Sequence, residues 1–303
     1  MKRKVIQIAN STQLVSLPRK WAKLHNIKKS EELDVEIQGN KIIVSTEKDV
    51  EQEPIYLNVK DLYPMIVRSI HALYKRGIDD IKIDFNEATF PYVQKALGKE
   101  AVGFEIIDQS TDSCRIKHVG GELDDFDSIL RRTFLLLINM AEETHKAIQK
   151  GELTALRNLI FLEESNNRFT TGCRRLLNKK RNEPLVGPLY YIVEELENIA
   201  DCYKYMCTYL YKRKDEIKKV NKDVLDVFER VIQMTRLFYE VYYKYNQDKI
   251  RKLGELRKIN AKQGIELIES KKLKSHEQIV LHDLMTLNQK VFCLVGPYLV
   301  RKL

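Results

Sequence analysis

Eight cations stand within the first thirty residues: Lys2, Arg3, Lys4, Arg19, Lys20, Lys23, Lys28 and Lys29. No Asp or Glu accompanies them. The whole chain has 52 Lys and Arg against 43 Asp and Glu, a formal net charge of +9. This segment therefore holds nearly all of the imbalance, and its chemistry is that of a contact surface for a polyanion. A second constellation is Glu197 and Asp201 in "YIVEELENIADCYKYM". Four residues apart, they put both carboxylates on one helix face about a turn from each other. Alone, such a pair reads as a solvated acidic edge. Tyr239, Tyr242, Tyr243 and Tyr245 in "RLFYEVYYKYN" cover several faces of one helix. They read as packing residues with hydroxyls at the edge, and a base-stacking platform is the minor alternative. The chain contains no G-x-G-x-x-G, Walker-A, H-E-x-x-H or G-x-S-x-G motif, and its six histidines are scattered, so it is not expected to be an enzyme.

The elements that must position these residues fall into three regions. Residues 1–48 read as strand runs "KVIQI" and "QLVSL", a short helix in "PRKWAKLH", and a hairpin of "LDVEI" and "KIIVS" turning at Gly39-Asn40. Pro18 suits the first turn of that helix because its missing N–H has no partner there to lose. So short a segment with few large apolar side chains is a poor core by itself, and calls for a partner copy. Residues 54–121 alternate: strand "PIYLNV", helix from about Lys60 to Arg76, strand "IDDIKIDF", helix "ATFPYVQKAL", and a closing strand pair "FEIID" and "SCRIKHV". This reads as a small α/β spacer or dimerisation domain. Gly120-Gly121 mark the next boundary, and residues 122–303 read as helical throughout. Breaks near Lys150-Gly151, "RNEP", "KDEIKK", Gln247-Asp248 and "KLKSH" divide it into six segments, two sets of three. Short connections make neighbours antiparallel, giving two three-helix bundles in tandem. The fold class is thus multidomain and mostly α, with a swapped-hairpin β domain first and a small α/β domain between.

The order of strand, polar turn, "VSLP" strand end, basic short helix and hairpin resembles the swapped-hairpin DNA-binding domains of the AbrB, SpoVT and MazE type. "STQLVSLPRKW", "LHNIKKSEELDVEI" and "GNKIIV" carry the resemblance over about residues 2–46. In that family two chains interleave hairpins into one barrel and present basic residues from both copies to DNA. The resemblance implies a homodimer on double-stranded DNA, with Lys2, Arg3, Lys4, Asn10, Ser11, Thr12, Arg19 and Lys20 facing it. Arg and Lys would neutralise phosphates, and the shorter polar side chains would hydrogen-bond phosphate or base.

Six helices in two threes, with "LENIAD" on the third, resemble the PhoU family of phosphate-uptake regulators over about residues 122–300. In that family an E-x-x-x-D pair helps bind a metal cluster through carboxylate oxygens. The resemblance implies Glu197 and Asp201 as metal ligands, with Glu163 and Glu164 of "FLEESNNRF" nearby and Glu164 as the third ligand, for a divalent or ferric ion at the first bundle. The second bundle departs from it, with Met285 and Gln289 at the corresponding positions. Together the two parts resemble archaeal phosphate-uptake regulators of the AbrB–PhoU fusion type. The expectation is a DNA-binding transcription regulator whose bundles sense an effector or dock a partner such as a phosphate-transporter ATPase. The alternative is an adaptor acting on a transporter or kinase by protein contact, its first domain used for dimerisation only. No apolar run approaches the length of a membrane span, "MKRK" opens no signal peptide, and five cysteines without CxxC spacing read as reduced thiols, so a cytoplasmic location is expected.

Overall fold

In a computed structural model, residues 1–8, 12–46, 53–121, 125–179 and 185–303 are described. They form two compact units, Met1–Pro54 and Ile55–Leu303.

The first unit contains two antiparallel pairs and one helix. β1 (Ile6–Ile8) pairs with β2 (Thr12–Leu14), α1 spans Arg19–Leu24, and β3 (Asp34–Gln38) pairs with β4 (Lys41–Ser45). Period-two alternation puts Val35 and Ile37 on one face of the second pair, directly opposite Val44 and Ile42. Ile6 lies opposite Leu14 in the same way on the first. None of the described residues in this unit is buried. Ile37 remains 77% exposed and Ile42 70%, values that in a β-hairpin mark an apolar face without a cover.

The second unit has two apolar cores. The smaller is a four-stranded sheet of order β5-β6-β8-β7, from β5 (Ile55–Asn58), β6 (Asp80–Asp84), β7 (Phe104–Gln109) and β8 (Ser113–His118). β5 and β6 run parallel, which requires a crossover; α2 (Ile66–Lys75) supplies it. α3 (Phe90–Leu97) joins β6 to β7. Alternation sends Ile81, Ile83, Cys114 and Ile116 to the buried face, where Ile66, Ile70 and Tyr74 of α2 and Val93 of α3 complete the core. α2 begins later than the sequence spacing predicts, at Ile66 rather than Lys60. Pro64 steers Tyr63 away from helical backbone, so the helix starts only after it.

The larger core belongs to six long helices: α4 (Phe126–Lys150), α5 (Leu156–Lys179), α6 (Val186–Lys212), α7 (Lys222–Tyr243), α8 (Gln247–Glu269) and α9 (Ser275–Cys293), the last extended by α10 (Val295–Lys302). α4, α5 and α6 pack on one another, as do α7, α8 and α9, and the two sets meet through α4 with α7 and α6 with α9. One continuous cluster of Leu, Ile, Val, Phe and Met runs through both. Local chemistry sets the ends. Asp125 accepts from the Ser128 amide at α4, Gly151 closes it at φ 74°, and Asn246 accepts from the Lys249 amide at 2.9 Å to start α8. Among the described residues no helix is long and apolar enough to cross a membrane.

Candidate nucleic-acid interface and polar cavity

In the first unit, Lys2, Arg3, Lys4, Thr12, Arg19 and Lys20 are all exposed. Asn10 and Ser11 lie outside the described residues. Arg19, Lys20 and Lys23 belong to α1, which Pro18 precedes as N-cap and which has no acid in its first turn. Trp21 is half-buried against His25, with ring centroids 4.9 Å apart, while Leu24 and the cations of the helix are exposed. Lys28 and Lys29 flank the turn that follows, where the Lys28 amide donates to Glu31. Among the described residues none of the eight cationic side chains has an ion-pair partner. A surface of solvated, unneutralised charge is what phosphate oxygens require.

In the second unit, α5 is the element that joins the two cores, and it does so with polar groups. Arg175, 1% exposed, donates to the carbonyls of Tyr74 and Ile78, both at 2.9 Å, and pairs with Asp79. Its guanidinium also lies 4.5 Å from the centroid of the Tyr74 ring. Asn178 donates to the Lys75 carbonyl at 2.7 Å, Lys179 to Asp79 at 2.8 Å, and Thr171 to Glu100 at 3.2 Å. Gly77, at φ 89°, lies so close to Lys179 that a Cβ there would meet its side chain at 2.9 Å.

The expected metal ligands sit beside this seam. Glu197 accepts from Thr170 at 2.7 Å and pairs with Arg174, which is 1% exposed and also holds Glu194. Asp201 accepts from Lys204 at 2.6 Å. Lys204 reaches on to Glu163 at 2.8 Å, and Asn167 donates to the same carboxylate at 2.7 Å. Glu164 is elsewhere, paired with Lys99 at 3.3 Å. The carboxylate brought to Asp201 is thus that of Glu163 rather than Glu164. Burial pushes the Glu163 carboxyl up, and Lys204 opposes it. Burial works against the Lys204 charge, but Asp201 and Glu163 outweigh it and raise its pKa. These donors do not fit a metal ion as arranged: a guanidinium and an ammonium of the chain already occupy them. Among the described residues no cluster of three or more His, Cys, Asp or Glu side chains is arranged to hold one. At Met285 and Gln289 there is no acidic counterpart; Met285 packs against Gly264 and Gln289 accepts from Arg257 at 3.0 Å.

Between α2 and α3 on one side and α5 and α6 on the other lies a cavity of about 940 Å³. Glu100, Glu163, Glu197 and Asp201 face it, together with Arg68, His71, Lys75 and Lys204. Spacing along the sequence singled out one pair of these acids but not their partners. Arg174 lies next to Cys173 and Arg175 in a buried stretch of α5, and only the fold shows that both arginines are enclosed. The tyrosines of α7 pack as expected. Tyr239, Tyr242 and Tyr243 surround Phe134, while Tyr245, expected on the same helix, lies beyond its end and is exposed.

Residues 6–52 match the family described as antidote-toxin recognition MazE, bacterial antitoxin. The N-terminal segment is therefore similar to the MazE side of the swapped-hairpin domains, as "STQLVSLPRKW" led one to expect. No curated protein and no solved structure matches the chain.

Proposed function

We propose that the protein is a homodimeric DNA-binding regulator, its first unit gripping duplex DNA and its second acting as a sensing or docking module. The observation that carries this reading is the pairing of eight solvated cations with two uncovered apolar hairpin faces in one small unit. A second copy would cover the apolar faces and double the cations on one surface. The MazE-like match over residues 6–52 supports it. Regulation of phosphate uptake is the target process proposed, supported by the two mutually packed sets of three helices that the PhoU resemblance implies. A phosphate-transporter ATPase or another signalling protein would then be the partner docked by the second unit.

The test is a gel-shift titration against salt. If the dimer neutralises about six phosphates, log affinity falls against log salt with a slope near −5, roughly 0.9 per phosphate. Arg19→Ala with Lys20→Ala weakens binding across all duplex sequences and flattens that slope. Absence of duplex binding at low salt would sink the reading. A second reading comes from the matched family's description. In it the first unit recognises a toxin-like protein partner, and dimerisation persists without DNA affinity. Genome-wide occupancy of DNA by the protein then shows whether phosphate genes are the targets.

A further inference from the structure

The 940 Å³ cavity between α2, α3, α5 and α6 has an uneven charge ledger. Each acid on its wall has a partner from within the chain: Glu100 has His71 and Thr171, Glu197 has Arg174 and Thr170, and Glu163 and Asp201 share Lys204. The cations of the opposite wall do not. Arg68, Lys75 and Arg76 at α2 and Lys95 on α3 have no hydrogen-bond or ion-pair partner for their side chains among the described residues. Arg68 and Lys75 are seven apart, two turns along one helix face, and Arg76 adjoins them. What the cavity presents is therefore a group of cations without partners, gathered along α2 and α3.

Lys75 sharpens the point. It is half-buried, and desolvation together with Arg174 pulls its pKa below the usual lysine value, although Glu197, Glu100 and Glu194 oppose this. A partly desolvated ammonium without a direct counter-charge is held at a cost that a bound anion removes.

Size and aromatic content narrow the class. Pockets for drug-sized ligands run from about 300 to 1,000 Å³, so inorganic phosphate alone would leave most of this space to water. Tyr63 and Tyr92 stand at the cavity with ring centroids 5.1 Å apart, and Tyr190 and Tyr205 line it too. Flat apolar rings beside unpaired cations suit a ligand with an aromatic base at one end and phosphates at the other.

We propose that this cavity binds a nucleoside phosphate, with Arg68, Lys75, Arg76 and Lys95 holding the phosphates and the Tyr63–Tyr92 pair receiving the base. The site gives the sensing role of the second unit a ligand. It rests on the cavity alone, so the test omits DNA and stands or falls separately from the DNA-binding reading.

The test is calorimetric titration of the full chain with ATP, AMP and inorganic phosphate as separate probes. ATP is expected to saturate at one per chain and to bind more tightly than AMP, and both more tightly than inorganic phosphate. Arg68→Ala and Lys75→Gln should each weaken ATP about tenfold, and Tyr92→Ala should weaken ATP and AMP by a similar factor, within the range known for base–aromatic stacking. Lys262→Ala, an exposed cation of α8 paired only with Glu266, should change nothing. The Arg68 side chain is exposed, so its variant keeps the fold and a thermal melt confirms it. Failure of all three probes to bind, equal weakening by Lys262→Ala, or inorganic phosphate binding as tightly as ATP would each overturn the proposal.

Discussion

Glu100 shows how much one side chain does at the boundary between the two cores of the second unit. His71, 5% exposed, lies 2.9 Å through Nε2 from the Ala96 carbonyl and 3.3 Å through Nδ1 from the Glu100 carboxylate. Each ring nitrogen of His71 thus faces an acceptor. Burial works against the Glu100 charge, but His71, Lys75 and Thr171 outweigh it and bring its pKa from 4.5 down to about 2. A carboxyl with a depressed folded-state pKa contributes stability above its unfolded value and loses it as pH falls towards the folded one. The contribution is therefore complete above about pH 5 and shrinks below 4.5. Glu100→Gln is expected to lose roughly 2 kcal/mol at pH 6, discounted from the full linkage value for partial exposure. The gap between variant and parent should narrow in urea melts at pH 4 and again at pH 3.5. A gap of the same size at pH 6 and pH 3.5 would show that the pair is not ionic.

At the scale of elements, α5 bears on the helical core with Leu156, Cys173 and Leu177 and holds the α/β part with Glu164, Thr171, Arg175, Asn178 and Lys179. The two cores do not merge; hydrogen bonds join them. Arg175→Ala leaves the Ile78 carbonyl without its donor, the Tyr74 carbonyl with only the Gly77 amide and Asp79 with only Lys179, a loss of about 2–4 kcal/mol. Arg175→Lys should recover less than half, because an ammonium cannot present the planar fork that meets two carbonyls and a carboxylate at once. Hydrogen exchange offers the readout: amides of α2 and β6 should lose protection in Arg175→Ala before those of α6 do. The sequence announces the parts of this arrangement but not the joint. Alternation at Ile81 and Ile83, and 3.6-residue spacing at Ile66 and Ile70, locate strand and helix because burial writes itself as a period. The joining stripe is polar, and a polar helix stripe looks the same whether it faces water or another layer. The start of α2 departs from the sequence spacing for a related reason: Leu62 fits the apolar spacing, while Pro64 decides the backbone. Among the candidate site residues, the eight cations are legible because nothing offsets them within thirty residues. Arg68, Lys75, Arg76 and Lys95 are not, since their lack of partners exists only after folding brings the matched acids alongside.

For the whole molecule the first unit poses the physical problem. Its residues form the strands and helix that local pattern dictates, yet none of those described is buried, so the segment has no core with which to offset its conformational entropy. Val35, Ile37 and Ile42 on one hairpin and Ile6, Ile8 and Leu14 on the other all remain about half or more exposed. Covering a side chain of this kind contributes about 1.5–3 kcal/mol, so joining two copies through these faces supplies what one copy lacks. Interleaved hairpins, as the AbrB-type resemblance implies, would do this and place both sets of cations on one assembly. Ile37 and Ile42 are register partners, so Ile37→Glu with Ile42→Glu sets two carboxylates side by side on the face to be covered. Light scattering is expected to report a dimer for the parent chain and a monomer for this variant. Duplex DNA binding should fall with dimerisation, because the cations of a single copy give up half the phosphate contacts and half the salt slope. The thermal melt of the helical unit should not change, since its core shares no residue with the first unit. A variant that stays dimeric but loses DNA would move the dimer contact to the second unit and leave the hairpins with DNA alone.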